Sequence, residues 1–579
     1  MVSFELIKSI LKILYFLLFL FIPGFYFLKI LNRKYFNNNI SILLSCPTSI
    51  FIFGLLFLLL QILSSPPIIY SVLIGGFITS LLLIAYKKGL INELFRISRI
   101  YHYAILLILI GAIINVCFVS IGNESANDIS SWEHSRNIAD RGLHTLPGDN
   151  YAPYQTATVF IKNSKPWVTK NWTMGDRPPL MGVINCIWSH FTLNSENYSF
   201  WNYEIVGIVL NILFILPCTI ISSRFFRDPH VYYIVPIAIL LNTFVFLNIY
   251  YTWPKLMEAF FILLIIALFM NKRIGYLSMS IAGILAGMGL LSHGLAILSL
   301  PILLTLSMIV LFKLKSLKHL VPFIGFILLL QSPWIAYKKL HPSINTNHLL
   351  YHYIPTEKYP DDPIRTLTNF FKKVPIKEQL EHRCELIKKV VSNNMNRAFK
   401  SLLTGRVIGY YKRTEMREFL FPIVAIGEFQ ILFCIPVLSY LTICYFLLKR
   451  KEAFLNFNFK LIALFFSFII LSYLFNAFIK WDISTNHTLP YAELIIGISI
   501  ISGISFSLLK PIRILSFSLI VAHFCYYVIR SAQRQGFQIF DFYNLSIIVG
   551  IIILFYVSRN FVRRDPRSKL KREAVQQIL

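Results

Sequence analysis

The chain has 579 residues, of which 56% are hydrophobic and only 14% charged, with a mean hydropathy of +0.64. Soluble domains carry about 25% charged residues, so a water-soluble globular fold is excluded; the apolar runs of roughly 18 to 25 residues lack the two-residue alternation of barrel strands, which excludes a spanning β-barrel. The formal net charge is +28, but the lysines and arginines sit in short loops beside apolar runs, where they set topology and meet anionic membrane lipids; no nucleic-acid-binding motif accompanies them, and no nucleic-acid partner is expected.

Taken in chain order, the predicted spans are 9–31, 41–63, 67–86, 103–121, 201–222, 230–250, 254–271, 275–292, 295–313, 319–337, 419–448, 457–479, 487–509, 513–531 and 542–559. The first lacks a small-residue cleavage site and reads as a retained helix. Basic clusters mark one side as cytoplasmic: Arg33 and Lys34; Lys87, Lys88, Arg96 and Arg99; Arg224 and Arg227; Lys272 and Arg273; Lys313, Lys315 and Lys318; Lys449, Arg450 and Lys451; Lys510 and Arg513; and the tail from Arg559. The alternation closes with the N-terminus outside, provided that the short amphipathic helix starting at Pro178 lies along the outer membrane surface. The prediction is an all-α polytopic membrane protein of about 13–15 transmembrane helices with two large outer loops containing interfacial helices. Its parts are N-terminal helices (1–102), a core (103–342) with the first outer loop (122–200), the second outer loop (338–418), and C-terminal helices with a basic cytoplasmic tail (419–579). Of eight cysteines, only Cys186 and Cys384 fall in outer loops; pairing between them is open, and there is no disulfide framework.

The first outer loop holds most of the polar residues with chemical potential. Asp128 follows the fourth span within a few residues, which puts a carboxylate just above the headgroups. Glu133, His134 and Asp140 then fall on an interfacial helix, with Arg136 and Asp140 on one face. A carboxylate at that depth can take a proton from an acceptor hydroxyl; equally, acidic residues in outer loops are commonly just solvated charges. The run D128-ISSWEHSRNIADRG142 has Asp128, His134, Ile138 and Gly142 spaced as D-x(4,5)-[HY]-xxx-[IA]-xxx-G, and Arg177, Pro178, Pro179 and Leu180 follow as [KR]-P-P-L, with Asp176 before them. Further along come YYTWPKLMEAFF (250–261), GILAGMGLLSHGLAIL (283–298), SPWIAYKKLHP (332–342) and TNHTLPY (485–491). In this order and on a common side, these stretches resemble the GT-C class of membrane glycosyltransferases, which includes protein O-mannosyltransferases and lipid A aminoarabinose transferases. The chain departs from the class in having Ile129 after Asp128, and Asn486–His487 where many members carry an arginine.

The resemblance implies an inverting transferase that moves a sugar from a polyprenyl-phosphate donor to a cell-envelope glycan, lipid or protein. Its site would face the outside of a bacterial cytoplasmic membrane. Asp128 would be the base, with Glu133 and Asp176 orienting sugar or acceptor. A leaving phosphate needs fixed cations, and Arg177, Lys255, His293 and His487 are placed at the same interface, with His134 beside them. Lys255 is also well placed to snorkel, and His293 to be an ordinary helix-end histidine. The second outer loop would cover the site. A divalent metal could join Asp128 with Asp361 and Asp362, although nothing in the spacing demands one. Two other classes fit a polytopic chain. An O-antigen polymerase or ligase would place its key residues in the late outer loop, 338–418, where Arg365 and His352 are the positions to test. A transporter would need ionisable groups near mid-membrane, of which Glu258, one turn below Lys255, is an example.

Overall fold

A computed structural model describes residues 2–62, 67–120, 130–141, 148–169, 172–270, 275–299, 303, 316–345, 354, 362–385, 458, 461–465, 467, 469, 471–472, 491–507, 510–534 and 542–564. Among the described residues every element is a helix; the one extended pairing is an isolated bridge between Val168 and Thr173. Hydrocarbon offers no partner to a backbone N–H or C=O, so a spanning segment must satisfy them within itself. Among the described residues seven helices are long and apolar enough to cross a membrane, eight if one bent pair counts as a single span. The chain is an all-α, multi-pass membrane protein. The expected span 419–448, most of 295–313 and most of the second outer loop lie outside the described residues.

Helices α1 (Val2–Leu31) and α2 (Asn38–Ile62) pack closely around Gly24, where a Cβ would lie 2.0 Å from the Ser45 carbonyl oxygen. The Gly24 N–H donates to Ser49 Oγ at 2.8 Å, a bond between helices beside Pro23. At the end of α1, Lys29 pairs with Glu93 at 2.5 Å and donates to Asn38 Oδ1 at 2.8 Å, and Arg33 pairs with the same Glu93. A buried carboxylate thus ties the α1–α2 turn to the turn that follows α3 (Pro67–Lys87) and precedes α4 (Arg99–Ser120).

The first outer loop contains α5 (Ser131–Ala139), α6 (Tyr151–Lys162) and α7 (Leu180–Phe191). Sequence reasoning lays the helix after Pro178 on the membrane surface. The structure shows α7 buried along nearly its whole length, between α6 on one side and α2 and α3 on the other. Gly182 allows the close approach of α6, since a Cβ there would meet Thr156 Cγ2 at 2.8 Å. Trp188 packs among the rings of Tyr15, Phe16 and Phe19, and Ser71 donates its hydroxyl to the His190 carbonyl. Cys186 is buried in this packing as a free thiol, and Cys384 is exposed and free.

Helices α8 (Phe200–Ile212) and α9 (Ile215–Phe225) together make one span whose apolar window is wholly inside the protein. The predicted span 230–250 is broken into α10 (Pro229–Leu240) and α11 (Thr243–Tyr250), bent by 55°. Asn242 is the reason: its Oδ1 accepts the Val245 N–H at 3.1 Å and starts a new helix. Helix α12 (Lys255–Met270) is the buried centre of the bundle, packed against α8, α9, α13 (Tyr276–Ser292) and α16 (Tyr491–Phe506). Two further helices, α17 (Lys510–Arg534) and α18 (Phe542–Arg564), complete this part, with α18 against α4. By contrast α14 (Leu320–Leu340) buries no residue and touches the rest mainly through α13, where Gly283 faces the Phe323 carbonyl. Past its end the Pro342–Ile344 turn lies on Gly175, whose missing Cβ would sit 1.7 Å from the Ile344 carbonyl oxygen. Val159, Met174 and Ile344 pack there with Trp334 and Tyr337. In the second outer loop α15 (Pro363–Lys373) is started by Asp362, whose Oδ1 accepts the Arg365 N–H at 2.9 Å.

Because the Gly24 contact is with backbone, a methyl there has nowhere to go. Gly24→Ala is expected to cost about 1–3 kcal/mol, read as a lower melting temperature of the detergent-purified protein.

Candidate functional site

Five residues, Tyr251 to Lys255, turn the chain from α11 into α12, and the side chain at their centre, Trp253, collects the site. Arg177 reaches it from the first outer loop. The bridge between Val168 and Thr173 folds that segment back, and the Asp176 carboxylate closes the turn by accepting the Thr173 N–H at 2.8 Å and hydroxyl at 3.1 Å. The Arg177 guanidinium then lies between two indoles, 4.0 Å from Trp172 and 4.8 Å from Trp253. Cation–ring contacts of this kind contribute about 0.5–2 kcal/mol each. Asp149 stands 3.8 Å from the same guanidinium.

Lys255, the first residue of α12, is buried and comes to Trp253 from the other side. Its Nζ is 5.7 Å from the Trp253 ring and 5.1 Å from the Tyr491 ring, and donates to Tyr491 Oη at 3.3 Å. Tyr491 passes its own proton to Asn248 Oδ1 at 3.2 Å. Asp149 and Arg177 both act electrostatically on Lys255. His293, just past the end of α13, puts its ring 5.9 Å from Trp253, and Tyr251 stacks on the same indole at 6.1 Å. Among the described residues two basic side chains, Arg177 and Lys255, meet here with one carboxylate, Asp149. Two buried donors, Trp253 Nε1 and Arg177 Nε, have no hydrogen-bond acceptor among the described residues. A cluster of basic side chains with spare donors is chemically suited to an oxyanion.

Sequence reasoning named Arg177, Lys255 and His293, and the fold brings all three to Trp253. Glu133, His134 and Asp176 have other partners. Asp176 closes the turn before Arg177. Glu133 forms a capping box at the start of α5: its Oε2 accepts from Ser130 N at 3.1 Å and Oγ at 2.9 Å, while Ser130 Oγ accepts the Glu133 N–H. These bonds hold its pKa below the usual carboxylate value. His134 lies on the buried side of α5, stacked on Trp201 at 5.7 Å and near Phe200 at 5.5 Å. One residue on, Ser135 donates to Asn150 Oδ1 at 2.9 Å, and Asn150 returns a bond to the Ser135 carbonyl. Helix α5 therefore anchors the turn that carries Asp149. Asp128 and His487 lie outside the described residues, as does Asp361. Among the described residues no three His, Cys, Asp or Glu side chains come together to hold a metal.

Asp149, Trp172 and Tyr491 were not singled out from the sequence. Asp149 had one signal, a G-D-N turn directly before a helix; Tyr491 is 236 positions from Lys255 and had none. Deeper in the bundle are two fully buried carboxylates. Glu493 accepts from Ser299 at 2.9 Å and from Ser472 at 3.2 Å, whereas neither oxygen of Glu258 accepts a hydrogen bond among the described residues. Lys255, one turn above Glu258, turns to Tyr491. No family model, curated protein or solved structure matches the chain.

Burial, helped by the charge of Arg141, pulls the His134 pKa down from 6.5 to about 4. Between those values the unfolded chain binds a proton that the folded protein refuses, so stability falls as pH drops from 6.5 towards 4 and levels off below. His134→Gln is expected to flatten that part of the stability–pH curve, measured by thermal melts in detergent; an NMR titration of His134 should show no protonation above pH 5.

Proposed function

We propose that the chain is a membrane glycosyltransferase of the GT-C type, taking a sugar from a polyprenyl phosphate on the outer face of a bacterial cytoplasmic membrane. The observation that carries the reading is the meeting of Arg177 and Lys255, from two separate parts of the chain, on one indole at the head of a membrane helix. In this reading their charges hold the donor phosphate, and Trp253 Nε1 and Arg177 Nε supply donors that have no acceptor among the described residues. The acceptor hydroxyl, on an envelope glycan, lipid or protein, attacks the anomeric carbon and loses its proton to Asp128. The bond from that carbon to the phosphate oxygen breaks, and the electron pair leaves with the polyprenyl phosphate. The growing negative charge on the phosphate is what the two cations stabilise. The order of motifs around Asp128 and Arg177 supports the same reading.

A transporter is the second reading, and one observation favours it: Glu258 and Glu493 are carboxylates buried within the helix bundle, a placement common on ion pathways. The two readings separate with Glu258→Gln, which leaves sugar transfer near wild type if the chain is a transferase.

The direct test is turnover of a radiolabelled polyprenyl-phosphate sugar by the purified protein with cell-envelope lipid extract. Lys255→Met and Arg177→Met are each expected to lower transfer by about 100-fold, and Asp128→Asn to abolish it. Wild-type rates in these variants, or no turnover of any lipid-phosphate sugar, would sink the proposal.

A further inference from the structure

Thr252 is the residue just before Trp253, and its φ is +52°. A β-branched residue in the left-handed region is a backbone outlier that persists only where its surroundings enforce it. Here the surroundings are one face of α8. Tyr203, Gly207 and Asn211 are spaced by four, with Glu204 beside them, so they line one side of the helix. Tyr203 Oη donates to the Thr252 carbonyl at 2.7 Å. Thr252 Oγ1 donates to Glu204 Oε2 at 2.8 Å. Asn211 Nδ2 donates to the carbonyls of Trp253 at 3.0 Å and Asn248 at 3.1 Å. At Gly207 the Thr252 methyl lies where a Cβ would be, 2.8 Å from it. Glu204 and Thr252 have no exposed surface, and Arg141, from the first outer loop, acts electrostatically on Glu204.

A left-handed turn alone needs no such apparatus, because glycine adopts it without strain. Threonine adds a hydroxyl and a methyl, and both are held by α8. We infer that Tyr203, Glu204, Gly207 and Asn211 form a cradle that fixes the Thr252 turn and thereby sets the direction of the Trp253 indole and the Lys255 ammonium, with Glu204 as a positioning residue. The effect on phosphate binding rests on the transferase reading; the effect on the turn does not.

The experiment labels the full-length protein with 5-fluorotryptophan and assigns the Trp253 resonance by its loss in Trp253→Phe. Thr252→Gly removes the hydroxyl and the methyl while relieving the backbone, so it is expected to melt no lower than wild type. Its Trp253 fluorine line should shift or split, and its affinity for polyprenyl monophosphate in micelles should fall about 10-fold, as loss of preorganisation predicts. Gly207→Ala, which drives a methyl into Thr252, should move the same line. Trp253 lines that coincide with wild type in both variants overturn the cradle. A wild-type protein that binds no polyprenyl monophosphate, with the line still moved in the variants, keeps the cradle and removes the transferase reading.

Discussion

Holding two cations on one indole inside a membrane protein is the constraint from which the rest of this site follows. Arg177 and Lys255 repel each other, and burial weakens the water screening that would normally hide that repulsion. The chain answers with ring faces and one carboxylate, Asp149, which offset the repulsion only in part. Each supporting contact then has a purpose. Asp176 stiffens the turn before Arg177, α5 holds the turn bearing Asp149 through Asn150, and Tyr491 accepts a hydrogen bond from Lys255.

Much of this was legible in the sequence, for a physical reason. Lipid demands long apolar runs, so α1 to α4, α12, α13 and α14 fall within a few residues of the predicted spans. What lipid does not dictate was missed. The break at Asn242 rests on one side chain capping a helix inside an apolar run, and hydropathy does not register it. The burial of helix α7 against α6 rests on Gly182, which lets the two helices touch, and an amphipathic pattern alone does not register it. At the site, charges at a membrane boundary stand out, which is why Arg177, Lys255 and His293 could be named. Their partners could not, since Asp149 and Tyr491 are defined by folding across long separations. Glu133 and Asp176 had a local explanation open to inspection: S-x-x-E at 130–133 and T-x-x-D at 173–176 are both capping patterns.

Buried polar groups in this bundle fall into two sets. The first, around Glu204, Thr252, Tyr203 and Asn211, is bonded into the backbone and shapes a turn. The second is Glu258, three residues after Lys255 on α12, and Glu493, two residues after Tyr491 on α16. Ionisable groups are costly within hydrocarbon, so both sets lie where α8, α12 and α16 are covered by other helices.

The contact of Gly175 with Ile344 joins the site to a helix of a different kind. Among the described residues helix α14 packs mainly on α13 and has no fully buried side chain, and at 1.5 Å per residue its 21 residues make a rod roughly 31 Å long. Such a rod tilts to match the thickness of the hydrocarbon around it. A tilt of about 10° carries one end roughly 5 Å sideways relative to the other, and the C-terminal end is fastened, through Ile344, to the backbone two residues before Arg177. Bilayer thickness thereby becomes a mechanical load on the loop that aims the guanidinium.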